Sequence, residues 1–109
     1  MIETKGFYEF GPFRIDPVER LVMRDGALVP LPPKAFDTLL FLVRNSGRIL
    51  SKEELMKATW PDTFVEEASL AQNISVLRRA LGEAGGERQY IETIPRRGYR
   101  FLPQVDAKL

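Results

Sequence analysis

The chain has 109 residues, 44% apolar and 28% charged, which is the make-up of one globular domain with a single core. Its 16 Lys+Arg nearly balance 15 Asp+Glu, so the net charge of +1 points to no polyanionic partner, and any electrostatic argument rests on where the charges lie. Histidine and cysteine are absent, which excludes disulfide frameworks, Cys/His zinc sites, thiol nucleophiles and imidazole bases, and the longest apolar run, Leu39 to Val43, is far short of the roughly 20 residues of a membrane span.

Phe7 to Phe10 and Phe13 to Asp16 flank Gly11-Pro12, and Phe13 and Ile15 alternate with Arg14 and Asp16 in the period-two pattern of short strands. Arg20 to Arg24 and Ala27 to Leu31 flank Asp25-Gly26, a pair that tolerates the positive φ of a tight hairpin turn. These segments predict an antiparallel sheet of about four strands. Leu31-Pro32-Pro33 closes it, since prolines cannot donate to a ladder and Pro33 suits the first turn of a helix. From Pro33 to Ser46 the period changes: Phe36, Leu39, Leu40 and Val43 recur at helical spacing, with Gly47 as the stop.

An extended link, Arg48 to Leu50, leads to Ser51-Lys52-Glu53-Glu54, where a capping box is expected. Ser51 should accept from the Glu54 amide, the Glu54 carboxylate should reach back, and Leu50 and Leu55 should close a hydrophobic staple. Pro61, after Trp60, ends this second helix. A third helix is expected from about Glu66 to Leu81, stopped by Gly82 and Gly85-Gly86, with Leu70, Ile74, Leu77 and Leu81 on one core stripe. Tyr90 to Ile94 and Tyr99 to Leu102 are strand formers around Pro95-Arg96-Arg97-Gly98, a hairpin with cations at its tip in which Gly98 can take a positive φ. No internal repeat or low-complexity stretch divides the chain.

Sheet, three helices and hairpin, in that order, make an α+β winged helix-turn-helix, whose last helix enters a major groove while the hairpin lies on backbone or minor groove. Opposite the core stripe of the third helix lie Gln72, Ser75, Val76 and Arg79, with Ser69 and Asn73 on one flank and Arg78 on the other. Gln72 and Asn73 can pair with adenine edges, Arg79 can reach guanine or phosphate, and Val76 offers a methyl surface to thymine. The same face also reads as a plain solvated one.

In the hairpin region Arg88, Arg96, Arg97 and Arg100 outweigh Glu92, which suits phosphate and equally suits a strand edge guarded by charge. Charges balance through residue 65, so the whole excess belongs to the third helix and hairpin. Glu66 and Glu67 oppose a phosphate track, although in a first turn they suit the helix dipole. Trp60 has two readings, an indole N–H aimed at phosphate or a core aromatic with its tip at the surface; Phe64 reads as a packing anchor. Adjacent carboxylates such as Glu53-Glu54 face no common substrate and no glycine-rich phosphate loop occurs, so neither catalysis nor a metal or cofactor is expected.

These residues resemble the winged-helix effector domain of OmpR/PhoB-type bacterial transcription regulators from Phe7 to about Pro103. The resemblance runs through Leu31-Pro32-Pro33-Lys34-Ala35-Phe36-Asp37-Thr38-Leu39-Leu40, Ser51-Lys52-Glu53-Glu54-Leu55, Trp60, Ile74-Ser75-Val76-Leu77-Arg78-Arg79-Ala80-Leu81 and Tyr90-Ile91-Glu92-Thr93-Ile94-Pro95-Arg96-Arg97-Gly98-Tyr99-Arg100-Phe101. It implies a four-stranded N-terminal sheet, three helices with recognition helix 66–81, and a C-terminal β-hairpin wing, 90–102, all within a domain spanning 1–104. It further implies double-stranded DNA as partner. Groove and phosphate contacts would come from Ser69, Gln72, Asn73, Ser75, Val76, Arg78 and Arg79, a backbone contact from Trp60, and wing contacts from Thr93, Arg96 and Arg97.

The loop 61–65 falls where such regulators are thought to touch RNA polymerase, and pairing on tandem DNA sites is a further implication. Pro32 stands where many members have a capping Thr, and Pro95-Arg96-Arg97-Gly98-Tyr99 is more similar to the ToxR/CadC-like one-component branch than to the Arg-Gly-x-Gly-Tyr of two-component members. The sheet begins just after Met1, so no receiver is expected ahead of it, and residues 105–109 are expected to begin a linker or tail. The expected location is the cytoplasm, as the DNA-binding portion of a regulator that in this branch is often membrane-anchored, with no membrane contact within this chain. The alternative is a winged-helix interaction module that contacts RNA polymerase or another regulator without binding DNA.

Overall fold

The computed structural model describes residues 6–83 and 88–109. In chain order its elements are β1 (Phe7–Phe10), β2 (Phe13–Asp16), β3 (Leu21–Arg24), β4 (Ala27–Leu28), α1 (Pro33–Arg44), β5 (Ile49–Ser51), α2 (Lys52–Thr59), α3 (Glu67–Ala80), β6 (Ile91–Ile94), β7 (Gly98–Phe101) and β8 (Asp106–Lys108). The expected helices and hairpins are all present; Gly85-Gly86, read as part of the stop after the third helix, lies outside the described residues.

The N-terminal sheet is antiparallel, but it has five strands rather than four, in the order β4-β3-β2-β1-β8. Asp25 and Gly26, at φ 49° and 83°, make the expected two-residue turn between β3 and β4. The fifth strand corrects the linker reading of residues 105–109: Asp106 to Lys108 pair with Glu9 to Phe7. The free edge of β1 presents unpaired N–H and C=O groups, and the returning chain satisfies them. Lys108 Nζ lies 2.9 Å from Glu9 Oε1, while Glu9 Oε2 accepts from Arg14 Nη2 at 2.9 Å.

The segment expected as a plain link is also a strand: β5 pairs with β7 in a second sheet ordered β5-β7-β6. Gly98 stands opposite Ser51, and a Cβ there would come within 1.9 Å of the Leu50 carbonyl oxygen, so this position is glycine because two backbones meet. Gly98 takes the positive φ expected of it, at 155°, and Arg96 in the turn takes one as well, at 65°. Arg97 N–H donates to Ile94 O at 3.0 Å, with Pro95 and Arg96 at the two central positions, the pattern of a type II turn.

Pro32 caps α1 without a side-chain bond, as its lack of a hydroxyl dictates, and Pro33 begins the helix. The helix ends at Arg44 rather than Ser46, and Gly47, at φ 85°, sends its N–H to Phe101 O at 2.8 Å, joining α1 to the wing sheet. Ser51 Oγ accepts from Glu54 N–H at 3.0 Å, which is half of the capping box; the Glu54 carboxylate is held by Arg48 at 3.0 Å instead of reaching back. Leu50 and Leu55, the expected staple, are both fully buried.

One core unites the layers. Phe10 stacks on Phe13 with centroids 5.3 Å apart and meets Phe101 edge-on at 5.0 Å, while Tyr90 packs against both Phe10 and Phe13. The whole α3 stripe of Leu70, Ile74, Leu77 and Leu81 is buried, as are Phe36, Leu39 and Val43 of α1; Leu40 is only partly covered and Leu42 takes the core place. The helices also share a buried polar knot. Thr38 donates to Lys34 O at 2.9 Å, Thr59 Oγ1 lies 2.9 Å from Thr38 Oγ1, and Asn73 Nδ2 donates to the same Thr38 oxygen at 3.3 Å.

Candidate nucleic-acid interface

Because the buried stripe fixes the rotation of α3, its opposite side carries Ala68, Ala71, Gln72, Ser75 and Arg79 to solvent. Gln72, Ser75 and Arg79 were expected there. Ala68 and Ala71 were not singled out, since an alanine carries no recognition chemistry of its own, yet two small residues let the helix backbone approach a surface closely. Ser69 is partly buried, and Val76 packs partly against the core rather than standing clear. Asn73 is also partly buried, its amide tied to Thr38.

Arg78 turns toward the wing. Its Nη2 donates to Ile91 O at 2.9 Å and to Thr93 Oγ1 at 2.8 Å, and its Nε stands 3.8 Å from Glu83 Oε1. The other Glu83 oxygen accepts from Ile91 N–H at 3.1 Å. Thr93, expected on the wing, is exposed as that reading needs, with its hydroxyl engaged by Arg78.

The wing's positive excess is narrower than composition suggests. Arg100 donates to Glu92 through Nη2 at 2.6 Å and Nε at 2.9 Å, and Arg88 lies over the Tyr90 ring at 5.5 Å. Elsewhere Arg14, Arg20 and Arg48 hold carboxylates, and Arg24 and Arg44 lie over aromatic rings. Arg79, Arg96 and Arg97 remain: all three are exposed, and no described residue pairs with their side chains. They occupy α3 and the wing tip, neighbouring elements held together by Arg78.

Trp60 caps the C-terminus of α2, partly buried against the core. The following loop departs from expectation at Phe64, which is 94% exposed and packs as no anchor. It belongs with Met56, Trp60, Pro61 and Val65 to the rim of an open groove of about 440 Å³ that Glu53, Lys57 and Asp62 also line. Apolarity alone suggested burial, but the connection from Trp60 to Glu66 is longer than a tight helix-helix turn and holds this ring off the surface.

Two packed helices, the second presenting a polar, arginine-bearing face beside a β-hairpin tipped with arginines, define a winged-helix DNA-binding domain of the kind found in transcription regulators. Residues 26–101 match the family described as "Transcriptional regulatory protein, C terminal", and the chain belongs to that family.

Among its relatives, the transcriptional activator CadC of Escherichia coli K12 is 32% identical over 96 residues, 87% of this chain and 19% of CadC. The transcriptional regulator HilA of Salmonella typhi is 41% identical over 80 residues, 73% of this chain and 14% of HilA. The chain thus spans less than a fifth of either relative. Among solved structures, the DNA-binding domain of E. coli CadC superposes with a TM-score of 0.84 at 29% identity, covering 96% of this chain and 98% of that one. The DNA-binding domain of Klebsiella pneumoniae RstA in complex with the RstA box gives 0.79 at 34% identity, covering 90% and 98%.

Proposed function

We propose that the domain, β8 included, binds a specific double-stranded DNA site in transcription regulation, with α3 in the major groove and the β6–β7 wing against backbone or minor groove. The observation that carries the proposal is the distribution of arginines: every described one is engaged by a carboxylate or an aromatic ring except Arg79, Arg96 and Arg97, on the helix face and wing tip that would meet phosphate. Base edges fall to Gln72 and Ser75, flanked by Ser69, with Arg79 on the adjoining phosphate and Ala68 and Ala71 permitting close approach. Asn73 and Val76 take part from the margin of that face, and the Trp60 indole N–H supplies a backbone contact. In this reading no catalytic step or cofactor is involved.

Selection of duplexes from a randomised pool by the purified 109-residue chain tests this. A recurrent sequence motif is expected, and Gln72→Ala should relax its specificity at one position at a cost of about 1–3 kcal/mol. Recovery of no enriched sequence would overturn it.

A second surface belongs to the loop 61–65. The exposed Phe64 ring, beside an apolar groove with acidic residues at its rim, supports its use as a contact for RNA polymerase once the domain sits on DNA. Phe64→Ala should leave duplex affinity unchanged and reduce activated transcription in a reconstituted polymerase assay; unchanged transcription would refute the contact. We read the chain as the cytoplasmic, DNA-reading part of a longer regulator, with tandem or dimeric binding adding affinity that one narrow basic edge supplies sparingly.

A further inference from the structure

We infer that Arg78 and Glu83 are positioning residues: together they clamp the wing to α3, and so set the angle between the two elements that would meet DNA. This inference rests on the DNA-binding reading above and differs from the expectation that Arg78 itself contacts phosphate.

The geometry is that of a substitute strand. β6 is the outer strand of its sheet, and Ile91 has both its backbone groups met from outside that sheet: its N–H by Glu83 Oε2 at 3.1 Å, its C=O by Arg78 Nη2 at 2.9 Å. The two side chains stand 3.8 Å apart at Nε and Oε1, so together they present one acceptor and one donor to the peptide, as a neighbouring strand would. Arg78 Nη2 reaches Thr93 Oγ1 as well, at 2.8 Å, and Gln89 Nε2 adds a longer contact of 3.4 Å to Ile91 O. Glu83 is nearly covered, its side chain 11% exposed, which is unusual for a carboxylate unless it is held by partners. With these contacts the Arg78 guanidinium is committed inward on the face where Arg79 is not.

Leverage makes the clamp matter. From Thr93 to Arg96 the chain advances about 10 Å at the strand rise of about 3.3 Å per residue. A tilt of about 10° at the clamp therefore moves the tip by roughly 2 Å, more than the tolerance of a hydrogen bond. Losing the clamp would leave both contact surfaces intact and misaligned.

The sign of one substitution separates this from plain electrostatics. Removing a carboxylate near a phosphate track should tighten binding if charge alone acts; Glu83→Ala is expected instead to weaken affinity for the selected duplex by about fivefold, with the salt slope unchanged. Arg78→Lys keeps the charge but not the forked geometry, and is expected to lose about as much as Arg78→Gln. In an Arg96→Ala/Arg97→Ala background, which has no wing tip to misplace, Glu83→Ala should have no further effect. In the free protein, Glu83→Ala should lower the hydrogen-exchange protection of the Ile91 amide by more than that of the α3 core amides, which report global stability.

Unchanged or tighter binding by Glu83→Ala would overturn the clamp. So would wild-type affinity in Arg78→Lys together with a salt slope lowered by about one in Arg78→Gln, the mark of a phosphate contact. A loss that persists in the wingless background would show a merely structural role. If the wild-type chain binds no duplex, the DNA reading fails, and the Ile91 exchange measurement still decides whether the clamp exists.

Discussion

Replacing Arg96 by glycine should move stability and DNA affinity in opposite directions. Arg96 holds φ at 65°, in the third position of a turn whose second position is Pro95. That position of a type II turn favours glycine, and a side chain there costs about 1–2 kcal/mol. Glycine removes the strain but adds unfolded-state entropy worth roughly 0.5–1 kcal/mol, so the net gain is about 0.5–1 kcal/mol. For a domain of this size that corresponds to a rise of about 2–8 °C in melting temperature, measurable by circular dichroism or calorimetry. Meanwhile one of the three unpaired arginines is lost. If it neutralises a phosphate, the slope of log K against log salt becomes shallower by about one and affinity falls at low salt. Strain in a wing tip is kept because an arginine is needed there. A variant that is both stabler and binds duplex with wild-type slope would refute it, as would one that is less stable.

Two further outcomes follow from the backbone and the sheet edge. Gly98→Ala should destabilise by roughly 3 kcal/mol or more, because its Cβ would meet the Leu50 carbonyl at 1.9 Å, and a urea midpoint near wild type would contradict the close approach. The β8 strand should stay docked only within a pH window. The Glu9 carboxyl lies below its ordinary 4.5 through hydrogen bonds from Lys108 first and Arg14 second, so its contribution is complete above that ordinary value and is lost as pH falls through the lowered one. The Lys108 ammonium lies above its ordinary 10.5 through its hydrogen bond with Glu9, so its contribution holds below 10.5 and is lost as pH rises through the raised value. Amide protection factors across β8, with exchange rates corrected for their intrinsic pH dependence, should therefore fall at both extremes, and in Glu9→Gln that fall should flatten; protection indifferent to pH would refute the pairing as the latch.

What the sequence made legible was local. The spacing of Leu70, Ile74, Leu77 and Leu81 fixed both the existence and rotation of α3, and the Ser51 hydroxyl marked the start of α2, because each depends on residues within a few turns of one another. β5 and β8 escaped because each is three residues long and owes its existence to a partner far along the chain, β7 in one case and β1 in the other. The site shows the same division. Helical periodicity gives the direction a side chain leaves the axis, and on that basis Gln72, Ser75 and Arg79 were found. It cannot tell which neighbour will capture that side chain, so Asn73 and Arg78 were grouped with them although Thr38 and the wing hold them. Counting charges likewise gave the wing's excess but not which arginine Glu92 cancels: it is Arg100, across the strand pair, a contact that only the register reveals.

In the proposed function a narrow set of arginines on α3 and the wing neutralises DNA phosphates while the exposed face of α3 reads bases. Affinity of the 109-residue chain for its selected duplex, measured across salt concentrations, tests it most directly. With each of the three exposed arginines neutralising about one phosphate, log K against log salt should fall with a slope of about −3, and Arg79→Ala/Arg97→Ala should make it shallower by roughly two. A flat line, or an undiminished slope in that double variant, would contradict the account.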